Sequence, residues 1–244
     1  MNFIRIKELP RSYCQDLHYQ GKRMEQTIEA VVSSGKLPKG LPKKSPKIIS
    51  LLNNKGGVFK TTLTFNLAKN YLRNSRIVTT VDFDQQENLS RMLPEITQSG
   101  VKAADLKDIE ADYVIVDTGP TFVQDHIQLM LRSDVIITPF QLDRMDIEQT
   151  TTLLETAQAL GVTDKVKLVV IHSGHHTQMY KALKPFVDNI CEEYGVDILC
   201  EMRRNQAVPK ANLTNQTIFE INSPPDVRKE FKNLFNGVGQ CLKH

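Results

Sequence analysis

The sequence predicts an α/β fold, a doubly wound and mostly parallel sheet with helices on both faces, preceded by a short N-terminal helical extension. Short apolar runs of strand length alternate with longer segments of helical periodicity from Lys47 onward. A turn with two glycines joins the first run to the first helical segment, and an acidic residue follows each of the next two runs. Acidic residues at the carboxyl ends of parallel strands lie where the ligand crevice of such a sheet forms.

The composition excludes several classes of protein. The chain has 244 residues, of which 40% are hydrophobic and 24% charged, which is typical of a soluble globular protein. No apolar run approaches the roughly 20 residues of a membrane span. The start lacks a secretory signal, and the four cysteines (Cys14, Cys191, Cys200 and Cys241) are scattered. We therefore expect a cytoplasmic protein with free thiols.

The first 46 residues differ in charge from residues 47–244, which we predict to form the main domain. They hold nine basic and four acidic side chains, a net charge of about +5. A helix is predicted over Tyr13–Ser34, with a narrow apolar stripe that packs either on its own domain or on a second subunit. Lys36–Pro46 has three prolines and reads as a linker. The basic extension is either a solvated tail or a contact for a polyanion.

The loop after the first predicted strand (Ile48–Leu52) has the composition of a phosphate cradle. Glycines allow backbone N–H groups to close around a phosphate, and the following helix adds its positive N-terminal end. Lys60 supplies a charge for the outer phosphates, and the Thr61 hydroxyl can ligate Mg²⁺. The predicted nucleotide-binding residues are Lys55, Gly56, Gly57, Val58, Phe59, Lys60, Thr61 and Thr62.

The loop departs from the ordinary Walker A pattern, which needs glycine at the positions of Asn54 and Phe59. Its pattern is K-G-G-x-x-K-[ST], which resembles the deviant Walker A box of the ParA/MinD family of ATPases. Phe59 stands where that family usually has glycine. Because a bulky residue at positive φ costs about 1–2 kcal/mol, we expect Phe59 at negative φ with its ring on a neighbour.

The resemblance to the ParA/MinD family implies a P-loop NTPase fold and ATP with Mg²⁺ as cofactors. It also implies that Lys55 reaches the ATP of a second subunit, so that ATP joins a sandwich homodimer. Lys55, Lys60 and Asp84 are then the catalytic residues. Turnover is expected to be slow, with switching between dimer and monomer as its output.

Two acidic motifs follow in the order of that family. The second predicted strand, Ile77–Val81, precedes Asp82 and Asp84, in a segment similar to the family motif D-x-D-P-Q-G-N. The resemblance implies that Asp84 positions the attacking water and that Asp82 supports Mg²⁺ binding or the geometry of the loop. Alternatively, the two carboxylates only cap a helix. Asp117 ends the third predicted strand and fits a Walker B acid, which makes Thr61, Asp82 and Asp117 the candidate metal residues.

The remaining elements are predicted from periodicity. A polar insertion over residues 94–111 has one helical turn near Ala103–Ile109. Further strands are predicted over Asp134–Thr138, closed by Pro139, and over Val166–Ile171 and Asp197–Cys200. Further helices are predicted over Asp143–Leu160, Met179–Tyr194 and Asp226–Leu242.

Three histidines follow the fifth predicted strand, at His172, His175 and His176. They could form a metal site or could be loop histidines near the nucleotide. The second interpretation is preferred, because no further ligand can be identified in the sequence.

A basic group near the end of the chain carries the DNA-binding hypothesis. The segment Met202-Arg203-Arg204-Asn205 resembles a family motif, I-R-R-N. Its arginines could join other basic residues in a patch that neutralises DNA phosphates, although each could also be an ordinary solvated side chain. The predicted DNA-binding residues are Lys181, Lys184, Arg203, Arg204 and Lys210.

The resemblance is closest to ParA-type ATPases for plasmid or chromosome partition. It implies a nucleoid-associated dimer that binds DNA without sequence preference and is released when a centromere-binding or cargo adaptor protein stimulates hydrolysis. A MinD-like membrane-cycling ATPase, a positioner of protein cargo, a conjugation accessory ATPase and a relative that does not hydrolyse ATP are the alternatives. The C-terminal amphipathic helix would touch membrane in a MinD-like ATPase and would pack on the core in a ParA-type ATPase.

Overall fold

The computed structural model describes residues 45–120 and 124–243. The helix expected over Tyr13–Ser34, its possible dimer contact, and all but the last two residues of the expected linker lie outside the described residues. The boundary expected at residue 46 therefore stays a prediction.

Seven parallel strands form one sheet in the described part of the chain, in the order β3-β2-β4-β1-β5-β6-β7. The strand order reverses at β1, which has β4 on one side and β5 on the other, and a ligand crevice is expected at such a point. This architecture confirms the predicted fold class. The strands are β1 (Lys47–Leu51), β2 (Val78–Asp82), β3 (Thr97–Ser99), β4 (Tyr113–Asp117), β5 (Val135–Gln141), β6 (Val166–His172) and β7 (Asp197–Arg203).

Helices connect the strands and cover both faces of the sheet. They are α1 (Lys60–Arg73), α2 (Asn88–Met92), α3 (Gln124–Arg132), α4 (Arg144–Ala159), α5 (Gln178–Tyr194), α6 (Ala207–Leu213) and α7 (Pro225–Cys241). Two 3₁₀ helices, Ala103–Asp108 and Thr163–Lys165, lie in the connections, and the first is the predicted turn of the polar insertion.

The core has one apolar layer on each face of the sheet. Alternate residues of β1 point to opposite faces, so that Ile48 belongs to one layer and Ile49 to the other. Helices α1 and α7 cover the Ile49 layer, whereas α3, α4 and α5 cover the Ile48 layer. The central strands are therefore buried on both sides, which holds their carboxyl ends in fixed relative positions.

The prediction that β5 ends before Pro139 is wrong, because the strand continues to Gln141. Pairing of β5 with β1 ends at Ile137, and the Asn53 side chain then donates to the Pro139 carbonyl at 2.8 Å. The nitrogen of Pro139 faces the β1 side of the strand, where pairing has already ended, so its missing N–H breaks no hydrogen bond of the sheet. Pairing of β5 with β6 is therefore uninterrupted along its other edge.

The last strand is also longer than predicted. We expected Asp197–Cys200, but β7 continues to Arg203 and pairs with β6. Edge strand β3 was not predicted, since three polar or hydroxyl residues give no apolar pattern. The second strand begins at Val78 instead of Ile77, and it ends on Asp82.

Helix α7 packs on the core, as the partition hypothesis expects. Val227, Phe231, Leu234 and Val238 are buried in the same layer as α1. Gly237 permits this contact, because a Cβ there would lie 2.6 Å from the Leu199 side chain. Among the described residues, no helix combines the length and the apolar character that crossing a membrane requires.

Candidate nucleotide-binding site

A cavity of about 590 Å³ opens at the carboxyl ends of the strands, next to the glycine loop. Its size is within the range of small-molecule sites. Seven of the predicted nucleotide-binding residues line it, from Gly56 to Thr62, together with Asp84. Its other lining residues are Asn88, Thr118, Pro120, Arg204, Asn205, Gln206, Val208, Pro209 and Asn212.

The prediction of a negative φ at Phe59 is wrong. Phe59 has φ 70° and precedes the first residue of α1, so the loop turns into the helix through a left-handed residue. Its ring packs against the apolar layer beneath α1 and α7, which is the neighbour contact that the sequence suggested. This burial offsets the local strain of about 1–2 kcal/mol. Gly57 has a similar φ of 74°.

Lys60 is buried at the base of the loop, with 6% of its surface exposed. Its Nζ donates to the carbonyls of Asn53 at 3.1 Å and Lys55 at 2.7 Å. Burial lowers the pKa of Lys60, while the nearby carboxylates of Asp117 and Asp84 act in the opposite direction. The amine therefore lies under the loop, close to the place where the predicted phosphates would enter.

Asp117 is completely buried at the end of β4, and neither carboxylate oxygen has a hydrogen bond of ordinary geometry. Burial is the main reason that its pKa rises to about 7, although the adjacent Thr61 hydroxyl lowers it. An unpartnered carboxylate beside a hydroxyl is the oxygen donor set that suits Mg²⁺. Thr61 and Asp117 thus fit the predicted cation, which would neutralise phosphate charge there.

Asp82 and Asp84 have different environments. Asp82 Oδ1 accepts from the Asp84 N–H, and Oδ2 accepts from both the N–H and the hydroxyl of Ser90, each at 3.0 Å. These contacts tie Asp82 to the loop after β2, while its predicted roles in Mg²⁺ binding or loop geometry stay predictions. Asp84 lines the cavity, as its predicted role beside an attacking water requires.

Lys55 has its partners within its own chain. Its Nζ forms ion pairs with Asp146, which is completely buried, and with Asp143 at 3.4 Å, both at the start of α4. The hydrogen bond to Asp146 is the largest contribution that raises the pKa of Lys55. Unlike the next seven residues, Lys55 does not line the cavity. Its predicted contact with a second subunit would therefore require exchange of these partners.

The wall opposite the phosphate loop comes from α6 and the segment before it, and the sequence did not identify these residues as part of the site. The Asn212 side chain donates to the Thr62 hydroxyl at 2.7 Å, which joins α6 to α1. Asn66 of α1 also accepts from the backbone N–H of Ile218. These contacts span about 150 positions in the chain, so no local pattern could have revealed them.

The candidate DNA-binding residues do not form one uniform cationic patch. Arg203 pairs with Asp226, and Lys184 pairs with both Asp188 and Glu201. Arg204 lines the cavity, which gives it a possible ligand other than DNA. Lys181 and Lys210 are exposed on α5 and α6.

The expectation that the histidines lie near the nucleotide is wrong. His172 is the last residue of β6, and His175 and His176 follow it, but none of the three lines the cavity. Their loop opens beside β7 instead, where His175 lies 3.6 Å from a Glu201 oxygen.

This fold and this site define a P-loop nucleotide-binding protein whose loop begins with an additional lysine. Residues 49–218 match the CobQ/CobB/MinD/ParA nucleotide binding domain. The chain belongs to that family, which confirms the resemblance seen in the sequence.

Relatives in the family have different roles. The chain is 22% identical, over 78% of its length and 79% of theirs, to the cytosolic Fe-S cluster assembly factor NUBP1 homologs of Caenorhabditis briggsae and Caenorhabditis elegans. The fold is similar to that of a Cyanothece McdA–ATP complex, with TM-score 0.65, 17% identity, and coverage of 80% of this chain and 97% of that one.

Two further solved structures share the fold. MinD of Pyrococcus horikoshii with Mg-ADP gives TM-score 0.64 at 15% identity, covering 81% of this chain and 97% of that one. A plasmid partition protein from Borrelia burgdorferi gives TM-score 0.56 at 16% identity, covering 81% and 99%. At these sequence identities, the similarity to the solved structures shows a shared fold and no more.

The unpartnered carboxylate of Asp117 leads to a prediction about stability. Asp117→Asn is expected to raise the free energy of unfolding of the nucleotide-free protein by about 1–3 kcal/mol, because burial makes the charged form of Asp117 costly in the folded state. The same change is expected to weaken Mg²⁺-dependent ATP binding. Urea unfolding and ATP titration measure the two effects, with the exposed Asp105→Asn as control. An equal or lower stability of Asp117→Asn would contradict this account.

Proposed function

We propose that the chain is a ParA-type ATPase that partitions DNA, converting ATP and water to ADP and phosphate. The observation that carries the hydrolysis proposal is that Lys60 and Asp84 line one cavity formed by the glycine loop, while the carboxylate of Asp117 is buried close to Lys60 and Thr61. Lys60 holds the phosphates and Asp84 orients the attacking water. Thr61 and Asp117 hold the Mg²⁺, which supplies charge neutralisation.

ATP-dependent dimerisation is the proposed output of the cycle. Lys55 leaves the carboxylates of α4 and contacts the nucleotide of a second subunit, so that its charge reduces the repulsion between facing phosphates. The ATP-bound dimer binds DNA of the nucleoid without sequence preference. A centromere-binding or cargo adaptor protein then stimulates hydrolysis and releases the dimer.

Two alternatives are less well supported by this chain. A MinD-like membrane cycle would need an apolar surface for lipid, whereas the apolar face of α7 is buried in the core. Assembly of Fe–S clusters, the role named for the two curated relatives, depends on closely spaced cysteine ligands. The four cysteines of this sequence are at positions 14, 191, 200 and 241. A protein-cargo or conjugation role shares every feature of the site and differs only in the partner.

Removal of exposed positive charge tests the DNA-binding part of the proposal. The double variant Lys181→Ala/Lys210→Ala is expected to weaken ATP-dependent binding to random-sequence DNA. The slope of log affinity against log salt should become shallower by about 1 for each DNA phosphate that a lysine no longer neutralises. Nucleotide affinity should stay unchanged, because neither lysine lines the cavity.

Two comparison variants make this experiment specific. Arg203→Ala/Arg204→Ala removes the same charge, but it also breaks the ion pair with Asp226 and alters the cavity wall, so its ATP affinity is measured in parallel. Lys229→Ala/Lys232→Ala removes two exposed charges of α7 and serves as the matched control. Equal DNA affinity and salt slope in all four proteins, wild type included, would exclude these basic residues from DNA binding.

A further inference from the structure

His172, His175 and Glu201 form a cluster of metal-ligating side chains outside the nucleotide cavity. One nitrogen of each histidine and one Glu201 oxygen all lie within 4.8 Å of one another. His172 has 4% of its surface exposed, and its Nδ1 has no hydrogen-bond partner although it is buried. A ligand at this nitrogen would stabilise the protein, because a buried polar atom without a hydrogen-bond partner raises the free energy of the folded state.

We propose that these three residues bind a divalent transition-metal ion of the Zn²⁺ class. Two imidazoles and a carboxylate are a ligand set that zinc uses when one coordination position stays open for water or another ligand. Ligands of a tetrahedral zinc at about 2.0–2.1 Å lie about 3.3–3.4 Å from one another. His175 Nδ1 and Glu201 Oε2 are 3.6 Å apart, so only a small movement is needed.

The surroundings of Glu201 direct one of its oxygens to the proposed ion. The Tyr180 hydroxyl donates to Oε2 at 2.8 Å, while the Lys184 amine lies 3.6 Å from the other oxygen, Oε1. The Tyr180 ring also contacts the rings of both histidines, with centroid distances of 5.1 Å to His172 and 4.5 Å to His175. Contacts of this kind orient ligands in metal sites. Lys184 is paired with Asp188 as well, so its charge remains compensated when the ion binds.

The sequence indicated two of the three residues of this site. His172 and His175 stood out, but Glu201 lies in β7 and reaches them only because β6 and β7 pair side by side, with Val170 opposite Glu201 and His172 opposite Arg203. The polar loop between His172 and α5 brings His175 back over the strand ends.

The cluster is connected to the nucleotide cavity through the backbone. The His172 carbonyl accepts from the Arg204 N–H at 2.8 Å, and Arg204 begins the cavity wall opposite the phosphate loop. A metal ion at the cluster would therefore fix the strand end from which this wall departs. The metal site does not depend on the proposed partition function.

Metal titration of the untagged full-length protein tests this proposal. After treatment with EDTA and desalting, calorimetric titration with Zn²⁺ alone is expected to reveal a site that His175→Ala and Glu201→Gln each weaken at least about tenfold. His176→Ala is the matched control, because His176 is adjacent in sequence and outside the cluster. It should bind Zn²⁺ as the wild type does. Circular dichroism confirms that each variant is folded.

Cobalt provides a second measurement, because its visible spectrum distinguishes nitrogen and oxygen ligands from thiolates. The spectrum of the wild-type Co²⁺ complex should show nitrogen and oxygen ligation and should be lost in His175→Ala. His175 is exposed, with 65% of its side chain accessible, so this change leaves the core intact. Zn²⁺ affinity that is equal in wild type, His175→Ala and Glu201→Gln, a thiolate spectrum, or the absence of any Zn²⁺ binding by the wild type would overturn the proposal.

Discussion

Replacing Lys60 with methionine is expected to weaken ATP binding by about a hundredfold to ten-thousandfold and to abolish hydrolysis. The expected loss corresponds to two charge-assisted hydrogen bonds to phosphate, each worth about 1.5–3 kcal/mol. Methionine keeps the apolar stem of the buried side chain and removes only the amine. Binding of a fluorescent ATP analogue and phosphate release measure the two effects.

The structure also predicts a cost to the loop itself, which has to be separated from the loss of binding. Without the Lys60 amine, the carbonyls of Asn53 and Lys55 lose their shared donor. Urea unfolding of the nucleotide-free variant measures this cost. Lys69→Ala is the control, because it removes a lysine from the same helix that does not line the cavity. ATP affinity within threefold of wild type, in a folded Lys60→Met protein, would refute the assignment of the phosphate site.

The phosphate loop could be predicted from the sequence because all of its parts are contiguous. Strand, glycines, Lys60 and helix follow one another within about thirty residues, as is typical of such units, and they determine one another locally. Asp117 could be added because the carboxyl ends of parallel strands share one edge of the sheet. The prediction therefore included the floor of the cavity and its acidic side.

The opposite wall could not be predicted in this way. Asn212 meets Thr62 across 150 positions of the chain, and the contact depends on how α6 is placed after β7. That strand was itself predicted too short, because the charged residues Glu201 and Arg203 suggested that the apolar strand ends at Cys200. An edge strand with one partly solvated face also has charged residues in alternation with apolar ones.

The error at Phe59 has a different origin. A steric preference that holds for an isolated residue predicted a negative φ, but the turn into α1 requires a left-handed residue at this position. Packing of the ring against the apolar layer offsets the strain. Tertiary contacts thus overrode a local rule at the residue where the chain departs from its family's pattern.

Replacing Lys55 is expected to separate nucleotide binding from dimerisation, which is a different effect from that of Lys60→Met. Lys55 does not line the cavity of its own chain, so ATP affinity should change by less than about threefold. ATP-induced dimerisation and turnover should fall at least about tenfold, since the proposed contact with the second nucleotide corresponds to one charge-assisted interaction. Sedimentation with ATP and phosphate release measure these effects.

A single Lys55→Ala change would leave the Asp146 carboxylate buried without its partner, and such an orphaned charge costs about 3–5 kcal/mol. The informative protein is therefore Lys55→Ala/Asp146→Asn. Asparagine can still accept the hydrogen bond that Asp146 receives from the Gln141 N–H at 2.8 Å. The exposed Arg144→Ala, one residue after Asp143, controls for the loss of positive charge.

The double variant distinguishes the two possible roles of Lys55. If the lysine only holds α4 against the loop, relieving the buried charge restores both stability and ATP-dependent dimerisation. If the lysine also acts on a second subunit, stability returns while dimerisation and turnover remain impaired, because the variant lacks the charge that the proposed contact uses. Arg144→Ala leaves the ion pairs of Lys55 with Asp143 and Asp146 in place, so it should dimerise as the wild type does. A stable double variant that dimerises with ATP would restrict Lys55 to its own chain and remove the basis of the proposed dimer cycle.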